Sequence, residues 1–318
     1  MLVNKSQQPL SKPQKCQLQS DNSRTRPVRQ WISLYQNGSS TTQIAKQYGV
    51  VASTVSRNLG RHIALRDRLA ASIAASTKHR KAPFSGDGVE GAFLAGLVED
   101  FHVRNEGRLI ELSSSTTHPA LRRLFHQIFE QYGHPTSRPG YHPRGYYQYY
   151  LSVYLHNTFE PFVEKSEEMP IWIPRSASDS MFQSYLSGLI AAEGCIRLYE
   201  GNSRAQPVLH ITMKKSKLLR GLSSVIGGNV YEVSRAWRLV RYGRAAVELL
   251  RCLDIRHQEK VEKARLVVDH AGERWSDVLP LWQDIVSRIR HGVHECKAQA
   301  RRDYIRKHGA PHPSESSI

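Results

Sequence analysis

The chain repeats itself, and that repeat limits what it can fold into. Phe93-Leu94-Ala95-Gly96-Leu97-Val98-Glu99-Asp100 matches Tyr185-Leu186-Ser187-Gly188-Leu189-Ile190-Ala191-Ala192-Glu193-Gly194, offset by 92 positions (93 to 185). Behind each copy lie two strand-like runs and a helical one. They are His102–Asn105, Leu109–Ser113 and Pro119–Tyr132 in the first, and Cys195–Tyr199, Val208–Lys214 and Ser216–Ile226 in the second. Further β-rich stretches follow at Tyr146–Leu155 and Val230–Tyr242, then helices near Pro161–Ser166 and Lys260–His270. Each copy reads α-β-β-α-β-β-α, with periods of two and 3.6 residues marking the strands and helices. The class is α+β, built from two related halves. Ala95-Gly96 and Ser187-Gly188 put small residues on one helix face in both copies, so the halves can meet through these helices about a pseudo-twofold axis.

Around this core the chain divides into 1–25, a polar basic arm; 26–62, three short helices; 63–88, a linker; 89–175 and 176–275, the repeats; and 276–318, a helix with a basic tail. In the second segment Gly49 suits a left-handed turn between Thr41–Tyr48 and a helix starting near Ala52. Lys and Arg number 45 against 28 Asp and Glu, a net charge of +17. Such an excess points to a polyanionic partner. The longest apolar runs, such as Ala92–Val98, are too short to span a bilayer, so a membrane is excluded and nucleic acid favoured. Four scattered cysteines without a CxxC pair fit a reducing, cytoplasmic compartment rather than a disulfide framework.

The two repeated segments resemble the LAGLIDADG motif of homing endonucleases and maturases, over residues 90–275. Glu193 ends its helix, where an acid faces the negative end of the macrodipole at about 0.3–1 kcal/mol. A divalent cation would reverse that sign. The resemblance implies that acids at this position, one from each helix, hold Mg²⁺ at the scissile phosphates. The first copy departs from the pattern, because the residue 92 before Glu193 is Phe101. The matching inward residue of the next strand is Ile196 after Gly188 and Val103 after Gly96, a difference of one, so a single deletion near the helix end makes Asp100 the acid, with Glu99 the alternative. A dead first half would leave a nickase, a maturase acting on intron RNA, or a DNA-binding regulator. The resemblance also matches Lys260 to the family's catalytic-centre lysine, with Lys165 its possible counterpart. On residues alone, Glu259 and Lys263 could be an i,i+4 pair on a solvated face.

Double-stranded DNA is the expected partner, held by a monomer on a saddle of two antiparallel sheets. Ile196, Leu198, Leu209, Ile211 and Met213 alternate and face the core, leaving Arg197, Tyr199, His210, Thr212 and Lys214 on the other face. In the first half Val103, Ile110 and Leu112 point inward, and His102, Arg104, Glu111 and Ser113 outward. These are side chains for base edges and phosphates in a major groove, which admits a two-stranded ribbon. Gln30–Leu59 resembles a helix-turn-helix of the resolvase or transposase type, whose recognition helix would present Ser53, Thr54 and Arg57. The tail 288–307, with seven Lys or Arg against two acids, reads as an electrostatic phosphate contact. The whole implies Mg²⁺-dependent hydrolysis of DNA phosphodiesters by a site-specific homing endonuclease, serving the mobility of an intron or intein.

Overall fold

The computed structural model describes residues 27–66, 79, 81–105 and 109–317. The arm 1–25, and residues 67–78 and 80 of the expected linker, lie outside the described residues. The chain forms two compact units, Met1–Lys78 and His79–Ile318.

The first unit holds α1 (Val28–Gln36), α2 (Thr41–Tyr48) and α3 (Ala52–Leu59). Ser40 caps α2 in a reciprocal box with Gln43, and Gly49 ends it with φ of 65°. Trp31, Tyr35, Ile44, Ala45, Val55 and Leu59 make a small core, one apolar stripe from each helix.

The second unit contains both repeats. The first runs α4 (Gly88–Leu97), a 3₁₀ turn Val98–Asp100, β1 (His102–Asn105), β2 (Leu109–Thr116), α5 (Pro119–Phe129), β3 (Thr136–His142), β4 (Tyr146–His156) and α6 (Glu160–Val163). The second runs α7 (Ser180–Glu193), β5 (Gly194–Gly201), β6 (Arg204–Met213), α8 (Ser216–Ile226), β7 (Asn229–Val233), β8 (Ala236–Tyr242), α9 (Gly243–Arg251) and α10 (Gln258–His270). The antiparallel sheets share one topology, β1-β2-β4-β3 and β5-β6-β8-β7. Val103 pairs with Leu112, and Ile196 with Leu209, so the inward alternation read from the sequence holds in both sheets.

Two elements lie outside the stretches read from the sequence. β3 carries Pro139 and Gly140, residues that weaken a strand; it lies at the sheet edge, where proline removes no needed ladder bond. A β-carbon on Gly140 would sit 2.1 Å from the Tyr150 ring, so glycine is what lets that ring cross the strand. α9 buries Ala246, Val247 and Leu250, a helical spacing hidden behind the β-rich run before it.

The basic C-terminal stretch also has a structural part. It is α11 (Trp275–His308), a helix of 34 residues that binds both cores. Val278 and Trp282 pack into the second half, and Cys296 and Ala300 into the first. Tyr149 donates to Asp303 at 2.6 Å, and Tyr147 to Glu315 at 2.6 Å, so the tail folds back on the first sheet. Arg288, Arg301 and Arg306 are already paired with acids of α11, α10 or the tail. Among the described residues no helix is long and apolar enough to cross a membrane.

Candidate active site

α4 and α7 cross where each has its glycine. A β-carbon on Gly96 would stand 2.0 Å from the Tyr185 carbonyl oxygen, and one on Gly188 2.0 Å from that of Phe93. Tyr185 is 92 after Phe93, as Gly188 is 92 after Gly96, so the contact is its own mirror image. Ala92, Phe93, Leu94, Leu97, Tyr185, Leu186 and Leu189 are fully buried around it. The crossing sends both helix C-termini to the same place.

The irregular end of the first helix decides which acid arrives there. Its last turn is 3₁₀, tighter than α, and this absorbs the missing residue. Phe101 therefore points into the first core, 1% exposed, edge-on to Phe125 with ring centroids 5.6 Å apart. Glu99 is taken by Lys215 of the other repeat at 2.6 Å, and its side chain is 6% exposed. That corrects Glu99 as an alternative metal ligand: its oxygens hold an interhelix ion pair. Asp100 is left facing solvent, on the floor of a cleft whose walls still surround it. Burial raises its carboxyl above the ordinary aspartate value, against the pull of Lys260 and Lys165. Glu193 is pushed up to about 7, first by burial and next by the negative charge of Asp100. Among the described residues neither carboxylate has a hydrogen-bond or ion-pair partner.

Lys260 reaches the same spot from the first turn of α10. Its ammonium donates to the carbonyls of Ile190, Ala191 and Ala192 at 2.8, 2.7 and 2.9 Å. These carbonyls belong to the last turn of α7, where Ile190 also accepts from the Gly194 N–H, so Lys260 caps the helix that carries Glu193. Burial brings it down to about 8, with Glu193 and Asp100 resisting. Lys165, the counterpart suggested by the repeat, donates to the Glu99 carbonyl at 2.8 Å and so does the same for the first helix. Replacing Lys260 with Met should cost about 2 kcal/mol of stability in urea unfolding, since three charge-assisted bonds vanish while the volume is kept. It should also push Glu193 higher still.

No protein-family model and no curated protein matches the chain. Solved structures do. The homing endonuclease I-WcaI bound to its DNA recognition sequence is 12% identical, with 56% of this chain and 86% of that one covered and a TM-score of 0.41. The LAGLIDADG homing endonuclease I-GzeII in complex with its DNA target is 10% identical, over 68% and 97%, at 0.30. The N-terminal LAGLIDADG domain of DUF199/WhiA is 14% identical, over 56% and 89%, at 0.37. The chain resembles LAGLIDADG proteins. The likeness is one of architecture, and the chemistry of the site comes from this chain's own side chains.

Outside the LAGLIDADG-like helices, the sheet faces divide the expected DNA readers. His102, Arg104, Arg197, Tyr199 and Lys214 are exposed, Lys214 one residue past the end of β6. Arg104 lies 3.9 Å from Glu111, and Arg197 donates to the Tyr199 hydroxyl and the Cys195 sulfur, both at 3.2 Å. Thr212 accepts from Arg238 at 3.0 Å, which fixes an arginine fork on this face that the sequence reading missed because it gave β8 no inner and outer side. His210 is a correction. It is 8% exposed, opposite Cys195, so it is enclosed rather than open to a base edge. Burial pushes the Cys195 thiol up, but His210 and Arg197 outweigh it and bring it down to about 7. In the first unit Ser53 and Arg57 are exposed on α3, and Thr54 is half-buried.

A cavity of about 370 Å³ opens beside the acids, lined by Asp100, His118, Gly194, Cys195, Glu259 and Lys260 among others. Glu259 does not pair with Lys263 as its spacing allowed. It accepts from His118 of the first repeat at 2.7 Å. Lys263 instead lies 5.9 Å from the Trp282 ring centroid. No spacing rule links positions 118 and 259, so this contact had no signal in the sequence.

Proposed function

We propose that the chain is a monomeric, site-specific DNA endonuclease of the homing type, cutting both strands with Mg²⁺. One observation carries this reading: Asp100 and Glu193, brought together from two repeats, repel each other, lack partners, and share their surroundings with two lysines. Their donor set fits Mg²⁺. Among the described residues no group of three or more His, Cys, Asp or Glu is placed to hold a metal, and Mg²⁺ accepts one or two carboxylates with substrate oxygens and water completing its shell. Bound there, the cation would supply Lewis-acid polarisation of a phosphate and lower the pKa of a nearby water. Asp100 and Glu193 would hold it; Lys260 and Lys165 keep the helix ends fixed and offset phosphate charge. The sheet faces would seat the duplex through Arg104, Arg197, Arg238 and Tyr199. Ser53, Thr54 and Arg57 of the first unit would add a major-groove contact. A break at such a site would promote copying of an intron or intein.

Duplexes bound by the full chain can be selected from a random pool in EDTA, cloned into supercoiled plasmid and exposed to Mg²⁺. Linear product is expected. Shifted but intact plasmid overturns cleavage in favour of a DNA-binding regulator, and preference for structured RNA favours a maturase.

A further inference from the structure

His118 stands on the residue before α5, at the rim of the cavity that Asp100 and Lys260 also line. Its Nδ1 lies 2.7 Å from a Glu259 oxygen. A carboxylate only accepts, so the shared proton sits on Nδ1, and in the neutral ring the lone pair is on Nε2. The His118 side chain is 47% exposed and Glu259 only 14%, an open imidazole steadied by an enclosed acid. Burial raises Glu259, but its bond to His118 prevails and holds it below the usual glutamate value, so it remains the anion.

The second repeat has no such group. The residue before α8, equivalent to His118, is Lys215. Its ammonium is bound to Glu99, with both side chains largely buried, and an ammonium has no lone pair. The pseudo-twofold that brings the acids together is therefore broken one step away from them.

We propose that His118, oriented by Glu259, is a catalytic residue for one of the two strands. It takes the proton of the attacking water through Nε2. The water oxygen forms a bond to phosphorus, the bond to the leaving ester oxygen breaks, and that oxygen keeps the electron pair and is protonated from solvent. The other strand is cut without this group. This rests on the endonuclease reading above.

Other titratable groups face the same cavity. α10 and the residue before it contribute Glu259, Lys260, Lys263 and His257; β3 and β4 contribute His142 and Tyr146; β5 contributes Cys195. His257 is driven down to about 3 by burial and by Lys260, with its Nδ1 unpartnered, so it stays neutral throughout. Cys195 and Glu193 are each brought to about 7, and both stay in place when His118 is changed.

The test is cleavage of a duplex with each strand separately end-labelled, by the full chain in Mg²⁺ across pH 5.5 to 9, for wild type, His118→Gln and Glu259→Gln. His118→Gln should slow one strand about 10²-fold and leave the other strand unchanged, so nicked circles accumulate from plasmid. Glu259→Gln should slow the same strand by a smaller factor. Equal cutting of both strands by His118→Gln at wild-type rates overturns the role of His118 alone. Equal slowing of both strands by either variant, with bound DNA unchanged, overturns it too. A wild-type chain that binds the duplex and cuts neither strand overturns the endonuclease reading and this one with it.

Discussion

Glu193→Gln leaves a chain that folds, binds its duplex as tightly as wild type, and cuts neither strand above about 10⁻³ of the wild-type rate. The amide keeps the size of the carboxyl and its place at the end of α7. It removes the anion that a shared cation needs, and a lost metal contribution of about 4 kcal/mol is three powers of ten. The same variant reads the electrostatics without any DNA. A glutamate raised to about 7 when folded, from an ordinary value of 4.5, is protonated in the native state and ionised in the unfolded one between those limits. The contribution of Glu193 to the stability of the metal-free chain must then be greatest below about pH 4.5, decline through that window, and stay low above 7. The decline attributable to this group is up to about 3 kcal/mol. Glu193→Gln should flatten it, and urea midpoints at pH 5 and pH 8 measure the difference. Mg²⁺ should restore stability to wild type at pH 8 and do nothing for the variant. A variant that still linearises plasmid sinks the assignment of Glu193.

The helices, the alternation of the strands and the pairing of the halves were legible because each is a local pattern repeated 92 positions on. The position of Asp100 was legible for the same reason. Comparing Val103 with Ile196 located a deletion, and the 3₁₀ end of the first helix is how the backbone absorbs it. What the sequence hid was long-range and specific. Lys260 could be placed near Glu193, yet nothing local says that its three donors close the carbonyls of Ile190, Ala191 and Ala192. The i,i+4 spacing of Glu259 and Lys263 suggested a common pair, and the tertiary partner His118 won instead. His210 alternates correctly onto the outer face, but alternation gives a direction and not an exposure; Cys195 and the neighbouring strand close over it. Composition likewise cannot see that Asp303 and Glu315 tie α11 and the tail to tyrosines of the first sheet.

One methyl group in two places should have opposite effects. At Gly188 a β-carbon meets three backbone atoms of the facing helix: the Phe93 oxygen at 2.0 Å, the Leu97 nitrogen at 2.9 Å and the Phe93 carbonyl carbon at 3.0 Å. Backbone in the middle of a helix cannot rotate away as a side chain can. The helices must part by about 1 Å, and the gap opens along the whole seam of fully buried Phe93, Leu97, Tyr185 and Leu189. Gly188→Ala should therefore cost about 3 kcal/mol or more, at the upper end for overpacking. At Gly221, inside α8, a β-carbon meets nothing within 4 Å. There Ala should stabilise by about 0.5–1 kcal/mol, because it has less backbone freedom to lose on folding. The pair shares one chemical change, so urea midpoints compare the packing alone. The displacement also reaches the chemistry, since the distance between Asp100 and Glu193 is set by this crossing. Glu193 should move back toward an ordinary glutamate value in Gly188→Ala as Asp100 recedes. A Gly188→Ala chain within about 1 kcal/mol of wild type would mean that the two helices do not cross at their glycines, and the shared site would lose its physical basis.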